Sequence, residues 1–526
     1  MSPTTPLSGN GACPMQKRRV LAPALAVGVL AGLAPALGAA PAIAAPADAG
    51  TQQTAPDWKR CDPPLPASAR CATLKLPLDY RKPGGPTVDV EISRRTAGDP
   101  DLRRGILLLN PGGPSGSGLG MPWDTEAPLP KAVTDRYDVI GFDPRGVGAS
   151  TPLTCELPPE QRQPWLPYKP ETFQRTVTEF RGVAEKCRAK YGDDILHFNT
   201  RNTARDMDAI RAALGERKTS FLGYSYGTYL GAVYAEMFPH RTDRMVLDSA
   251  VDPDLAWQKD THLYATEGQR AFSRWTEWAA KNADRYGLGT TPAEVSRTFW
   301  KLVRQADRKP VLIGEHRYDG AQLRSALRPA FYSLKEASEL VVSVRKAAAG
   351  ETVPGFPGAG MAMDDNGHSS FTAITCGDAP WTRNVQGYRA AAERNAARYP
   401  LYGDHAFNVT PCTFWDKPVE KPTRVRNGVG ALILQNEWDS QTPLIGAQGL
   451  RSHMKNARLV TVDEGEGHGV YQAKRSACAD DLTTAYLVGG TLPAKDVTCA
   501  KDPAPAGGSA EPVHPAIAEA APGTLR

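Results

Sequence analysis

Short, mainly apolar runs recur along this chain and alternate with stretches in which apolar residues fall at helical spacing. The runs occupy 105–109, 137–142, 219–222, 245–247, 431–435 and 458–462. A strand covered on both faces reads as a continuous apolar run, because neither face meets water. Between the runs the period changes, as with Met207, Ile210 and Leu214 within 203–214. This alternation predicts an α/β domain with a mostly parallel sheet and helices on both faces. Ahead of it, 72–76 and 88–92 alternate apolar and polar residues about the turn Lys82-Pro83-Gly84-Gly85-Pro86, which predicts a hairpin. The alternation breaks over 254–427, where helical patterns at 262–282, 292–306 and 320–348 dominate. A helical cap inserted between two parts of one core, 57–253 and 428–500, is the expected organisation. Within the cap, 361–370 reads as a loop carrying a solvated His368.

The two ends follow other rules. Lys17-Arg18-Arg19, the charge-free apolar stretch 20–37 and Ala42-Ile43-Ala44 have the layout of an export signal with its cleavage site, predicting a signal peptide over 1–44. The small and polar residues at 45–56 predict a disordered leader. The Pro/Ala/Gly-rich 501–526 predicts a disordered tail. Loss of the three signal cations lowers the formal charge from +5 to +2, which leaves no electrostatic case for nucleic acid or an anionic membrane as partner. Of nine cysteines, Cys13 lies in the signal, so eight remain, an even number suited to disulfides in an oxidising compartment. Spacing leaves their connectivity open. Joining neighbours (Cys61–Cys71, Cys155–Cys187, Cys376–Cys412, Cys478–Cys499) is the simplest arrangement. The chain has no C-x-x-C and no histidines at zinc spacing, so neither a metal nor a cofactor is expected.

The chemistry is carried by Gly223-Tyr224-Ser225-Tyr226-Gly227, a G-x-S-x-G between an apolar run and a helical segment. In that context the sharp turn lifts a serine hydroxyl clear of the sheet, and crowding at the turn demands small residues two positions either side. Upstream, the run 105–109 leads into Asn110-Pro111-Gly112-Gly113-Pro114-Ser115-Gly116-Ser117-Gly118. A glycine-rich loop leaving a strand can point bare N–H groups at a reacting carbonyl. Gly113 is the expected loop donor of an oxyanion hole, and Tyr226, following the serine, the other. No Gly-Lys-Ser/Thr follows, so the loop is not a phosphate cradle of the P-loop kind. Downstream, Asp439 follows the run 431–435, and His468 sits between glycines after 458–462. The order Ser, Asp, His is that of the α/β-hydrolase fold. In such a triad His468 takes the proton of Ser225, and Asp439 orients the imidazole and stabilises its cation.

Together with Gly141-Phe142-Asp143-Pro144-Arg145-Gly146-Val147-Gly148, Val246-Leu247-Asp248 and Ala373-Ile374-Thr375-Cys376-Gly377-Asp378, these motifs resemble the secreted bacterial tripeptidyl aminopeptidases, serine peptidases related to the prolyl aminopeptidases. The resemblance spans about 58–499. It implies the triad Ser225, Asp439 and His468, a helical cap, and release of tripeptides, some containing proline, from peptides with free N-termini. Two departures stand out. Ser115 occupies a position usually held by glycine, and 275–280 lacks a cysteine found in many relatives, so one cap disulfide is expected to be missing. Some relatives are esterases, and a secreted carboxylesterase with the same triad is the alternative function. A non-catalytic binding protein on the same scaffold is the third, and the ordered triad argues against it. An aminopeptidase needs acidic groups to hold the substrate ammonium. Asp254, Glu267, Glu339, Asp364 and Asp365 are the candidates in the cap.

Overall fold

The structure is a computed structural model, and it describes residues 55–503 apart from Pro63, Glu126, Pro164 and 355–362. The expected signal peptide, nearly all of the leader and all but the start of the tail lie outside the described residues. Among the described residues there are twelve strands: β1 (Lys59–Arg60), β2 (Arg70–Pro77), β3 (Thr87–Arg95), β4 (Gly105–Asn110), β5 (Tyr137–Phe142), β6 (Thr219–Tyr224), β7 (Thr242–Asp248), β8 (Val311–Ile313), β9 (His316–Tyr318), β10 (Ala431–Trp438), β11 (Arg458–Glu466) and β12 (Val497–Ala500). Ten of them form one sheet in the order β1-β2-β3-β5-β4-β6-β7-β10-β11-β12. From β5 to β12 every neighbouring pair is parallel, and β1, β2 and β3 complete the sheet as an antiparallel margin. This is the α/β-hydrolase architecture.

The apolar runs explain the layering. Successive residues of a strand point to opposite faces. Accordingly, Ile106 and Leu108 of β4 join one core, with Phe221, Leu247 and Ile433, while Leu107 and Leu109 join the other, with Leu222, Val246 and Leu434. Both cores are closed by helices, so all six residues of β4 are buried, as are all six of β6. The marginal β2 keeps the alternating pattern, with Arg70, Thr73 and Lys75 exposed. Four disulfides among the described residues join Cys61–Cys71, Cys155–Cys187, Cys376–Cys412 and Cys478–Cys499, the neighbour pairing.

Between β7 and β10 the chain is mainly helical. The helices Gln258–Lys281, Pro292–Arg308, Gly320–Ala330 and Leu334–Ala348 build a third core around Phe272, Trp275, Phe299, Leu327 and Val341. Helix Asp365–Asp378 behaves differently, because its Ala373, Ile374 and Cys376 pack into the core on the sheet. His368 lies on this helix and is fully buried, not solvated on a loop. Burial pushes its imidazole down to about 4, so it is neutral at physiological pH.

The Asp143-Pro144-Arg145 stretch after β5 is structural wiring. Arg145 is fully buried and paired in two-pronged fashion with Asp206 (2.7 and 2.6 Å), and it also donates to Pro77 O and Leu78 O. Removing one partner would strand a buried charge, which typically costs about 3–5 kcal/mol. Asp143 accepts from Ser117 Oγ (2.6 Å) and from the N–H groups of Gly118 and Ala149, so it anchors the far end of the glycine-rich loop.

Candidate active site

Ser225 sits where β6 turns into helix Tyr226–Met237, with φ 57° and ψ −123°. A non-glycine residue with positive φ is strained, by about 1–3 kcal/mol, and persists only where its surroundings over-determine it. Here the N–H of Ser225 donates to Asp248 O on β7 (2.9 Å), which ties the turn to the sheet. The flanking glycines have a steric reason. A Cβ on Gly223 would lie 2.6 Å from Gly227 O, and one on Gly227 would lie 2.8 Å from Asn110 Oδ1. The glycine-rich loop closes against the same turn. A Cβ on Gly112, where φ is 102°, would lie 2.6 Å from Tyr224 O and 2.9 Å from Ser225 Cβ. Gly113 and Tyr226 line the cavity that holds Ser225, and neither of their N–H groups is engaged by another group among the described residues.

Asp439 and His468 come together from the ends of β10 and β11. His468 Nδ1 lies 2.7 Å from Asp439 Oδ2, and both side chains are buried. A carboxylate only accepts, so Nδ1 carries the proton and Nε2 is left as the basic nitrogen. That Nε2 is buried and has no partner among the described residues. Asp439 Oδ1 accepts the N–H groups of Gln441 (2.8 Å) and Thr442 (3.1 Å), while Thr442 Oγ1 donates to Oδ2 (3.0 Å). Burial works against the charge on Asp439. The charge and hydrogen bond of His468 and the backbone N–H groups outweigh it, and the carboxyl is held below its ordinary range. Thr442, which touches both Asp439 and His468, and Gln441 line the same cavity as Ser225.

The histidine loop is held by residues whose role the sequence did not reveal. Gly467 and Gly469 both have φ 86°, so glycine is required on either side of His468. Asp248 accepts the N–H groups of Val470 (3.0 Å) and Tyr471 (2.7 Å), and Ser249 Oγ accepts that of Gly469 (2.8 Å). Asn436 Nδ2 donates to the carbonyls of Gly467 and Gly469. Burial pushes the Asp248 carboxyl up to about 7 despite these donors. Val246-Leu247-Asp248 is a visible motif, but its partner loop is distant in sequence.

The cavity around Ser225 is strongly aromatic, with Trp165, Trp257, Tyr264, Tyr332, Phe371 and Trp381 in its walls. It contains two charged side chains, Asp260 and Arg328. None of the five expected cap carboxylates lines it. Asp254 pairs with Arg426, Glu267 with Arg270, and Glu339 faces Lys335. Asp364 caps the helix Asp365–Asp378, and Asp365 accepts the N–H groups of Glu156 and Leu157. Asp260 is the acid that sequence reasoning missed. It lies in a stretch, Gln258-Lys259-Asp260-Thr261-His262, that reads as a solvated helix start.

Two family models match the chain: "alpha/beta hydrolase fold" over residues 105–297 and "TAP-like protein" over 399–499. The chain is 36% identical over 501 residues to a tripeptidyl aminopeptidase of Streptomyces lividans, covering 89% of this chain and 90% of that one. It belongs to the tripeptidyl aminopeptidase family. The protein is a serine hydrolase of the peptidase kind. It is also 32% identical over 472 residues to the serine protease Hip1 of Mycobacterium tuberculosis (83% of this chain, 88% of that one). A carboxylesterase B of Mycobacterium tuberculosis matches at 31% over 531 residues, covering 92% of this chain and 99% of that one.

Proposed function

We propose that this peptidase is exported and releases tripeptides from peptides with free N-termini, through an acyl-enzyme formed on Ser225. In this reading His468 Nε2 takes the hydroxyl proton as Ser225 Oγ attacks the scissile carbonyl. Asp439 holds the imidazole with Nδ1 protonated and stabilises the cation that forms. The N–H groups of Gly113 and Tyr226 receive the oxyanion, in a site where fixed donors need no reorganisation. His468 then protonates the leaving amine, and water repeats the cycle on the ester. The single supporting observation is the make-up of the cavity. Residues from between β7 and β10, namely Trp257, Tyr264, Arg328 and Phe371, line the same space as Ser225. A space walled in this way limits how much peptide can lie on the acyl side of Ser225, as an exopeptidase requires. Its rings suit apolar and prolyl side chains. Four disulfides accord with an oxidising destination.

The test is one tripeptide amide assayed free and N-acetylated, beside a short-chain ester, with Ser225→Ala as the zero line. Acetylation should lower kcat/KM by at least ~10-fold, about 1.4 kcal/mol of transition-state binding. Equal rates would overturn the aminopeptidase reading. The carboxylesterase relative makes esterase the second reading, and a strong preference for the ester would favour it.

A further inference from the structure

Resting on the aminopeptidase reading, we infer that Asp260 is the anchor for the substrate's α-ammonium, with Arg328 as a second recognition point for an oxygen of the same peptide. Both line the cavity that holds Ser225. Asp260 is 5% exposed, and among the described residues the only hydrogen bond to its carboxylate comes from Tyr264 Oη (3.2 Å). No cation lies within ion-pair distance of it among those residues.

A structural role would leave a different signature. Asp260 lies in the first turn of helix Gln258–Lys281, where an acid commonly accepts a free backbone N–H. No backbone N–H reaches its carboxylate among the described residues, and the helix start has no side-chain cap. The buried Arg145–Asp206 pair shows how this protein satisfies a structural carboxylate, with a two-pronged partner. Asp260 lacks that provision.

Arg328 is the matching case. Its guanidinium makes no hydrogen bond among the described residues, and its buried Nε is without a partner. It rests on the face of Tyr264, with Cζ 3.8 Å from the ring centroid. Tyr264 thus serves both charges, donating its hydroxyl to Asp260 and offering its ring face to Arg328. The two groups are near enough to feel each other electrostatically, yet do not pair. A carboxylate and a guanidinium held in one cleft without neutralising each other are preorganised for a ligand carrying both an ammonium and hydrogen-bond acceptors. A peptide N-terminus is such a ligand. Desolvation pushes the Asp260 carboxyl up to about 7, which accords with a missing cation that the ammonium would supply.

The experiment reads a ratio, kcat/KM for a free tripeptide amide over kcat/KM for its N-acetyl form, in wild type, Asp260→Asn and Asp260→Glu. In Asp260→Asn the ratio should fall by at least ~10-fold, to near one, because a desolvated charge-assisted contact is lost. Asp260→Glu keeps the charge on a longer arm and should retain most of the ratio. A structural role for Asp260 would lower both rates and leave the ratio in place, and that result would overturn the assignment. So would an Asp260→Asn enzyme with wild-type selectivity. If wild type itself cleaves both substrates equally, the aminopeptidase reading falls first, and that outcome is distinct because it needs no variant. Should Asp260→Asn fail to fold, the comparison of Asp260→Glu with wild type still decides. A Glu variant that keeps most of the wild-type ratio supports the anchor, and a ratio near one with both substrates still cleaved overturns it.

Discussion

Asp439→Asn isolates the tautomer argument, because it preserves size and removes only charge and one acceptor. The wild-type carboxylate takes four hydrogen bonds: Gln441 N–H and Thr442 N–H at Oδ1, Thr442 Oγ1 and His468 Nδ1 at Oδ2. Asparagine has a single acceptor oxygen. Two backbone N–H groups cannot turn away, so the oxygen stays with them and the NH₂ group faces His468. Nδ1 must then accept, the ring proton moves to Nε2, and in the proposed mechanism Nε2 would face Ser225 as a donor where a base is needed. In serine peptidases this inversion lowers kcat by ~10⁴-fold, about 5.4 kcal/mol on the barrier. The fold should suffer far less. Losing a charged acceptor is partly offset by no longer burying a charge, so the expected destabilisation is about 1–2 kcal/mol. Steady-state kinetics on a free tripeptide amide and on a short ester should show the same loss in kcat, beside a melting curve close to wild type. A variant that melts normally and keeps kcat within ~10-fold of wild type would refute the role given to Asp439.

Three further outcomes follow from buried groups other than Ser225, Asp439 and His468. All eight cysteines among the described residues are paired, so thiol titration of the denatured, unreduced protein without its proposed signal segment should find no free thiol, and two or more per chain would contradict the pairing. Cys412 lines the cavity, so Cys376→Ser with Cys412→Ser should cost about 2–4 kcal/mol of stability and lower kcat/KM as well; unchanged denaturant and kinetic curves would contradict this. Burial raises Asp260 from 3.8 to about 7, so the folded chain holds a proton that the unfolded chain has already released between those values. Its contribution to stability is therefore lost as pH rises from about 4 to about 7. Asp260→Asn removes that slope. Its unfolding free energy relative to wild type should rise on the order of 3 kcal/mol between pH 4.5 and 8. Parallel urea-unfolding profiles for the two proteins would show that Asp260 does not titrate this way.

The sheet was legible in the chain because its physics is local. A strand covered on both faces is mainly apolar, and 105–109 and 245–247 carry that rule without reference to anything else. The serine turn was legible for the same reason. The positive φ at Ser225 and the close approaches at Gly223 and Gly227 arise within a few residues, so the small residues needed there are visible in the motif. The Asp439 and His468 positions could be read from chain order, since each follows its own apolar run. Asp260 could not. Its neighbours Gln258 and Lys259 are polar, and a helix start of that composition usually faces water. It is buried in the folded chain, where Trp165, Arg328 and Phe371, distant in sequence, line the same cavity. The reverse holds for Asp254, Glu267, Glu339, Asp364 and Asp365, whose partners or cap positions only the folded chain discloses. His368 was misread likewise, because a stretch of small and polar residues became a helix packed onto the sheet core. Residue type and spacing determine which groups can do chemistry. Whether a carboxylate meets water, an arginine or a substrate depends on long-range packing, which no local pattern encodes.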